Sequence, residues 1–286
     1  MANVTSAEQA QATAAVFNRV ATGYDRQALR FFSYSADKMV ARLKPKPGEK
    51  VLDVATGTGA VALAAAQAVG ASGRVVGIDI AEAMLAEAEK KIRKFGINNI
   101  DLHTMDASAV DFRSGYFDSV TCAYALFFLP DMQAGLNEWK RVLKPGGSII
   151  FTSFGPAAFR PMLDLFIARL ALHDVVTDPA AGARLNDPAQ CRQLLVAAGL
   201  TDVEVVTEQL GYHLKDATEW WEIVYNAGLR GMLDKLAPHK RDVFQREHLQ
   251  EVGELVTESG LWLNVETLFS FGHKPSVLRV CCGSDQ

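Results

Sequence analysis

The stretch VLDVATGTGAVALAAA, residues 51–66, holds the residues of this chain that are best spaced for binding chemistry. An apolar, strand-like run turns through small residues into an alanine-rich helix, and Gly57, Gly59 and Ala62 satisfy the loose dinucleotide-binding fingerprint. Small residues let a ligand approach the backbone, and the N-terminus of the following helix attracts negative charge. The loop therefore predicts either a dinucleotide pyrophosphate or a ligand with the opposite charge requirement.

Asp53 lies in the strand, four residues before Gly57, and helps to separate these two ligands. Its carboxylate would repel a pyrophosphate at short range, whereas it attracts the ammonium of an amino acid, directly or through water. A zwitterionic amino acid with a cationic sulfur matches this charge, and its carboxylate suits the helix N-terminus. The charge argument favours S-adenosylmethionine over a dinucleotide, with hydrogen bonding of Asp53 to neighbouring backbone as the alternative.

Two further aspartates end the next two predicted strands. Asp79 ends RVVGIDI, twenty residues after Gly59, where an acidic side chain accepts hydrogen bonds from both ribose hydroxyls of a nucleoside. Asp106 ends LHTMDA, in position to accept from an adenine amino group. Both features serve either cofactor, so they indicate a nucleoside without selecting one.

Strand-like and helical segments alternate along the chain and would position these side chains. The strand-like runs are 50–55, 74–80, 101–107, 118–124, 148–153, 203–207 and 265–272. The clearest helix, AEAMLAEAEKKIRKFG, has Glu87→Lys91 and Glu89→Arg93 pairs at i,i+4 spacing and ends at Gly96. Such alternation predicts an α/β fold with a mainly parallel sheet and helices on both faces.

Three helical segments do not fit the alternation and leave from the end of the sheet where ligands bind. They are predicted to form a lid over the substrate, with packing against the flank of the sheet as the alternative. The predicted division is an N-terminal helical segment closing over the cofactor (1–44), a binding core (45–155), an inserted helical segment (156–200), the remaining core strands with a helical cap at 213–262 (201–275), and a tail (276–286).

The ordered motifs VLDVATGTG, VVGIDIAEAMLAEA, MDAS, FDSVTCAYALFFLPD and EWKRVLKPGG cover roughly residues 48–155. In this order and spacing the chain resembles the class I S-adenosylmethionine-dependent methyltransferases, in the branch of ubiquinone/menaquinone-type and small-molecule enzymes. The resemblance implies a Rossmann-like, seven-stranded sheet. LLVAAGLTDVEVV looks like its sixth strand with the preceding helix, and VETLFSFGHK resembles the antiparallel edge strand that ends this fold.

The resemblance also implies which residues hold the cofactor. Asp53, Gly57 and Gly59 would hold the methionine part, Asp79 the ribose, and Asp106 with Ala107 the adenine. Ile80 and Met84 would flank the adenine, the backbone near Ala123 would meet the methionine end, and Tyr24 would close over the methionine carboxylate. The loop residues Ala55 and Thr56 complete the expected set, with Ala55 replacing the first glycine of the usual loop.

Methyl transfer from a sulfonium is an in-line displacement that needs positioning and exclusion of water, and no covalent nucleophile or metal. The acceptor pocket is predicted at the carboxyl ends of the strands and the lid, lined by Phe127, Phe128, Phe154, His213, Trp220, Trp221 and Tyr225. These aromatic residues suit a hydrophobic or planar acceptor, and ordinary packing between lid and sheet is the alternative. His213 and His173 are the candidate bases, and neither is selected.

Composition excludes several other classes. The net charge of −4 gives no electrostatic footprint for nucleic acid or an anionic membrane, no apolar run is long enough to span a bilayer, and the four cysteines show no C-x-x-C spacing. We expect a cytoplasmic enzyme without a metal, acting on a small molecule. A quinone-ring C-methyltransferase remains open, because FNRVATGYD resembles that branch while YALFFLPD departs from it, and so does a non-catalytic S-adenosylmethionine-binding protein.

Overall fold

The computed structural model describes residues 5–175 and 181–276, and nine strands form two sheets within them. Cys281 and Cys282 lie outside the described residues. The strands are β1 (Lys50–Val54), β2 (Arg74–Asp79), β3 (Ile100–Thr104), β4 (Phe117–Ala123), β5 (Leu143–Phe154), β6 (Thr201–Gln209), β7 (Tyr212–Leu214), β8 (Leu261–Leu263) and β9 (Glu266–His273). The large sheet has the order β3-β2-β1-β4-β5-β9-β6, and β7 pairs only with β8.

The first five strands of the large sheet are parallel, whereas β9 is antiparallel to both β5 and β6. This confirms the predicted seven-stranded, mainly parallel sheet with an antiparallel last strand. The chain reverses its direction of travel across the sheet at β1, with β2 on one side and β4 on the other. In open α/β sheets ligands bind outside the carboxyl ends of the strands at such a switch point.

The expectation that the last strand lies at the edge is wrong. β9 lies between β5 and β6, and most of its residues are buried, whereas β6 is largely exposed. The segment TDVEVVTEQ places charged residues along β6, which is typical of an edge strand that must avoid pairing with other chains.

Ten α-helices accompany the sheets within the described part of the chain. They are α1 (Ser6–Val20), α2 (Phe31–Leu43), α3 (Ala60–Val69), α4 (Glu82–Phe95), α5 (Met132–Val142), α6 (Met162–Leu172), α7 (Pro188–Ala197), α8 (Ala217–Asn226), α9 (Arg230–Leu233) and α10 (Arg241–Gly253). Successive residues of β5 face opposite layers, because Ile149 and Phe151 pack with α5 and α7 while Ile150 packs with α2 and the later helices. Helices therefore cover both faces of the sheet, as predicted.

Helix α4 ends as its sequence predicts, at Gly96 with φ of +66°. Glu89 and Arg93 form the expected i,i+4 ion pair at 2.5 Å. The other expected pair is not formed, because Glu87 binds Lys90 and Lys91 instead reaches Asp25, 2.8 Å away in the N-terminal segment. Lys91 thus ties that segment to the core.

Helices α6, α8 and α10 pack together above the sheet, and we call them the cap. His248 of α10 is fully buried in the cap, where it accepts a hydrogen bond from the Trp220 indole at 2.9 Å and packs against Phe166 and Phe244. Arg169 joins the helices by ion pairs with Glu247 and Glu251. The antiparallel strands β7 and β8 flank the segment that contains α8 to α10, where the sequence predicted only helix.

Candidate functional site

The glycine loop joins β1 to α3 through three residues in the left-handed region. Ala55, Gly57 and Gly59 have φ of +52°, +55° and +84°. At Gly59 an added Cβ would also lie 3.2 Å from the Cβ of Ala88, so glycine is required there for packing as well. Ala55 adopts a conformation that costs about 1–2 kcal/mol for a residue with a Cβ, so replacing the usual glycine places strain in the loop.

Asp53 lies beneath this loop, fully buried, and does not reach the cavity described below. Its two carboxylate oxygens accept hydrogen bonds from the hydroxyls of Thr56 at 2.6 Å and Thr121 at 2.7 Å. Burial raises the pKa of Asp53 to about 6, and the two threonine hydrogen bonds oppose that rise. The side chain thus holds the loop and β4 together and places a titratable charge behind the loop.

Asp79 faces the cavity from the end of β2. One carboxylate oxygen accepts the backbone N–H of Gly57 and the other accepts that of Ala81, both at 2.8 Å. Burial raises the pKa of Asp79, and these backbone hydrogen bonds oppose the rise. Each oxygen retains a lone pair for a ligand hydroxyl, so the site can accept two hydroxyls while the protein fixes the carboxylate.

A cavity of about 360 Å³ opens at the carboxyl ends of β1, β2 and β4, and we call it the loop cavity. Its wall contains nine of the twelve predicted cofactor residues: Tyr24, Ala55, Gly57, Asp79, Ile80, Met84, Asp106, Ala107 and Ala123. Asp53, Thr56 and Gly59 are not in the wall; they form and support the loop from behind. Asp106 is exposed at the rim, and one of its oxygens accepts from the backbone and hydroxyl of Ser108.

The sequence predicted that the N-terminal segment closes over the cofactor but, apart from Tyr24, indicated none of its residues for this wall. Helix α1 presents Ser6, Ala7, Ala10, Thr13 and Phe17 to the loop cavity. These residues recur every three or four positions, which is the spacing of one helical face, and four of the five are small. That pattern was visible in the sequence, but which face meets the sheet depends on the tertiary packing.

A second cavity, of about 300 Å³, adjoins the first, and we call it the aromatic cavity. The predicted residues Phe127, Phe128 and Phe154 line it. Six further aromatic residues that were not predicted to line an acceptor pocket do so as well: Phe17, Tyr24, Phe31, Phe32, Tyr124 and Phe159. The two cavities share the side chains of Phe17, Tyr24, Tyr124 and Phe128, so they are direct neighbours.

Tyr124 and Tyr24 shape this shared wall. Tyr124 follows β4 with φ of +51°, and its hydroxyl lies 2.9 Å from that of Thr267. Tyr24 stacks on Phe32 with ring centres 4.6 Å apart. Burial raises the pKa of both tyrosines, and the carboxylates of Asp79 and Asp25 raise that of Tyr24 further.

The structure does not bring four of the predicted acceptor residues into either cavity. Trp220 is fully buried against His248, and Trp221 packs on Phe244, so both rings stabilise the cap. Tyr225 is 45% exposed on the outside of α8. His213 is exposed on the two-stranded sheet of β7 and β8, beside Trp262. On α8 the aromatic side chains point away from the aromatic cavity, whereas Ile223 lines it.

His173, the other candidate base, packs against Phe244 in the cap and likewise lines neither cavity. Among residues 5–175 and 181–276, no three His, Cys, Asp or Glu side chains form a group that could hold a metal ion. No helix of those same ranges is both long and apolar enough to cross a bilayer.

The mainly parallel sheet with one antiparallel strand, the glycine loop and the ribose-type aspartate define the class of S-adenosylmethionine-dependent methyltransferases. The chain belongs to the ubiE/COQ5 methyltransferase family, whose model matches residues 4–175. The protein is therefore an S-adenosylmethionine-dependent enzyme, and the alternative of a non-catalytic binding protein is not retained.

Three relatives show the range of acceptors around this chain. It is 38% identical to the aklanonic acid methyltransferase of a Streptomyces strain over 156 residues, which is 51% of this chain and 71% of that one. It is 28% identical to the nocamycin O-methyltransferase of Saccharothrix syringae over 250 residues, 83% and 89% of the two chains. It is 35% identical to the demethylmenaquinone methyltransferase of Bacillus cytotoxicus over 139 residues, 47% and 59% of the two chains.

The fold is similar to that of the YcgJ protein from Bacillus subtilis. That solved structure superimposes with a TM-score of 0.59 at 21% identity, covering 85% of this chain and 99% of the other. At this identity the likeness supports the fold alone.

The residues of the loop cavity fit S-adenosylmethionine. Asp79 has two free lone pairs for the ribose, Ile80 and Met84 supply apolar side chains for a base, and the loop leads into the N-terminus of α3, which suits a carboxylate. The structure gives no direct route from Asp53 to a ligand, because its side chain is buried behind the loop and lies outside the wall of the cavity.

Proposed function

We propose that the enzyme transfers a methyl group to a small, hydrophobic and planar aromatic acceptor by in-line displacement, with the acceptor in the aromatic cavity. The observation that carries this proposal is the shared wall between the two cavities. The rings of Phe17, Tyr24, Tyr124 and Phe128 border both cavities, so ligands in the two cavities would be neighbours there. Nine aromatic rings around the acceptor side favour a flat, apolar molecule.

The chain's own residues would orient the reactants and exclude water. S-adenosylmethionine supplies an activated methyl group when bound. Asp79 would fix the ribose, and Tyr24, stacked on Phe32, would fix one of the rings that border both cavities. Close packing of these rings would exclude water, and holding the two reactants in line accounts for most of the expected rate enhancement.

We also propose the predicted lid role for the N-terminal segment, residues 1–44. Helix α1 forms one wall of the loop cavity, yet only Ala14 and Val20 of its residues are buried. Its described polar attachments are the Arg19–Asp234 ion pair and the hydrogen bond from Ala83 N–H to Asn18. A helix attached by few contacts over a cavity can open at low cost and admit a cofactor.

The relatives support a small-molecule acceptor, since their names refer to an acid, to O-methylation and to demethylmenaquinone. A quinone-ring acceptor remains the second candidate, favoured by the demethylmenaquinone methyltransferase relative. That match covers 47% of this chain, whereas the nocamycin O-methyltransferase match covers 83%.

The test is calorimetric titration with S-adenosylhomocysteine, followed by turnover assays with planar phenols, acids, quinols and amines, each read by mass spectrometry. The variant Gly182→Phe fills the aromatic cavity, because the nearest atom to an added Cβ at this wall position is 3.6 Å away. Gly253→Phe is the matched control, since nothing lies within 4 Å of its Cβ position on the outside of α10.

We expect Gly182→Phe to lose acceptor turnover by at least tenfold while it still binds S-adenosylhomocysteine, and Gly253→Phe to retain both. Full turnover by Gly182→Phe would show that the acceptor binds elsewhere and would refute the proposal. Methylation of quinols in preference to all other acceptors would establish the second candidate instead.

A further inference from the structure

The wall of the aromatic cavity has an unbalanced charge. Among its described residues are two cations, Arg160 and Lys235, and no Asp, Glu or His. Both side chains are exposed, so these two charges lie at the solvent-facing rim of the cavity, where they attract an anion and are screened by salt.

Lys235 carries the larger part of this imbalance. Within the described residues, no hydrogen bond or ion pair engages its ammonium, and the adjacent carboxylate of Asp234 is already shared by Arg19, Arg230 and Arg241. Lys235 is therefore a cation at the cavity without a partner of its own.

Arg160 is partly neutralised. Its guanidinium binds the half-exposed carboxylate of Asp164 at 2.7 Å and the carbonyl of Pro156 at 3.0 Å. One terminal nitrogen remains without an acceptor among the described residues. The sum over both side chains and Asp164 is still positive.

The cavity also offers no base among its described residues. Apart from the two cations, its titratable side chains are Tyr24 and Tyr124. Burial raises the pKa of Tyr124 to about 12 and raises that of Tyr24 as well, so both stay protonated near neutral pH and neither accepts a proton. A weakly acidic phenol would therefore find no group to deprotonate it.

We infer that the acceptor is a planar aromatic acid that enters already ionised at oxygen, as a carboxylate or an acidic enol, with its negative charge paired by Lys235 and Arg160. This rests on the proposed function. The ionised oxygen supplies the electron pair of the new O–C bond, and the sulfonium sulfur keeps the pair of the broken C–S bond. Both products are neutral at the reacting atoms, and no proton moves. An amine would enter or leave as a cation beside two like charges, which disfavours it.

The experiment compares three soluble two-ring probes of nearly equal shape: 2-naphthoate, neutral 2-naphthamide and cationic 2-naphthylmethylamine. Each is titrated into the full chain saturated with S-adenosylhomocysteine, at low and high salt. We expect 2-naphthoate to bind at least tenfold more tightly than 2-naphthamide, the amine to bind most weakly, and the preference to shrink at high salt.

Lys235→Met should remove most of the preference for 2-naphthoate and leave the affinity for 2-naphthamide unchanged. Lys240→Met is the matched control, a lysine directly before α10 and outside the described walls of both cavities, and should retain the preference. Equal affinities for the three probes, or a preference for the amine, would overturn this inference and leave the proposed function intact. Failure of all three to bind while S-adenosylhomocysteine binds would overturn the proposed function and this inference with it.

Discussion

Lowering the pH from 8 to 5 should weaken the cap through one side chain, His248. The Nε2 atom of His248 accepts the Trp220 N–H, so the neutral ring must carry its proton on Nδ1, which has no hydrogen-bond partner. The nearest carboxylate oxygen, on Glu251, is 3.8 Å away and is already paired with Arg169. Burial lowers the pKa of His248 from 6.5 to about 4, because the charged ring would be both desolvated and poorly compensated.

The magnitude follows from linkage. Above pH 6.5 the histidine is neutral in both the folded and the unfolded state and contributes nothing to the pH dependence. Between pH 6.5 and 4 the unfolded state binds the proton and the folded state does not, so the free energy of unfolding falls as the pH falls. With pKa values of 6.5 and about 4, the loss between pH 8 and pH 5 is about 2 kcal/mol.

The assay is urea unfolding of the wild type and of His248→Gln at both pH values, followed by fluorescence. Glutamine retains an oxygen that can accept the Trp220 N–H but does not titrate. Asp53 and Asp79 act in the opposite sense, because a pKa raised by folding stabilises the folded state as the pH falls. Both proteins contain these aspartates, so the quantity to compare is the difference between their free energies of unfolding. That difference should shift by about 2 kcal/mol in favour of the variant at pH 5. A parallel pH dependence of the two proteins would show that His248 does not stay neutral in the fold, and would refute the reasoning.

Three further predictions concern the loop cavity. Asp79→Ala should weaken S-adenosylhomocysteine binding by about 3 kcal/mol, because it leaves the ribose hydroxyls and the Gly57 N–H without an acceptor. Calorimetry should then show a loss of affinity of roughly hundredfold. A loss below about threefold would show that Asp79 does not bind the ribose. Ala55→Gly should raise the free energy of unfolding by up to about 1 kcal/mol in urea, because glycine relieves the left-handed strain, and Ala55→Val should lower it. Thr121→Val should lower the free energy of unfolding by about 1.5–3 kcal/mol at pH 8, because ionised Asp53 loses a hydrogen bond. At pH 5, below the Asp53 pKa of about 6, the loss should be smaller. Equal losses at both pH values would contradict that pKa.

The features that could be predicted from the sequence are those that depend on short, contiguous stretches of residues. The loop with Gly57 and Gly59 follows the buried strand β1, and the ribose-type Asp79 is the last residue of the buried strand β2. Their position at the carboxyl end of the sheet therefore follows from the local sequence pattern alone. The antiparallel direction of β9 came from the resemblance, whereas its place between β5 and β6 needed the burial of both its faces.

The acceptor side was predicted less well because it is assembled from segments far apart in the chain. Phe31, Phe159 and Phe17 meet only after α1, α2 and the loop before α6 have packed. Trp220 was expected in the pocket because of its residue type, but the turn of α8 directs it to His248 instead. The strands β7 and β8 have three residues each, too few to show an alternating pattern.

The position of β9 also sets the order in which the chain can fold during synthesis. Strand β6 has no partner in the described sheet other than β9, and β9 comes from residues 266–273, after the cap has been made. Strands β1 to β4 have all their sheet partners among β1 to β5, so this half of the sheet can pair before the C-terminal third of the chain is made. The strands that carry the glycine loop and Asp79 can thus pair before β6 and β9 do. A truncation that removes β9 would leave β6 without a partner strand in the described sheet.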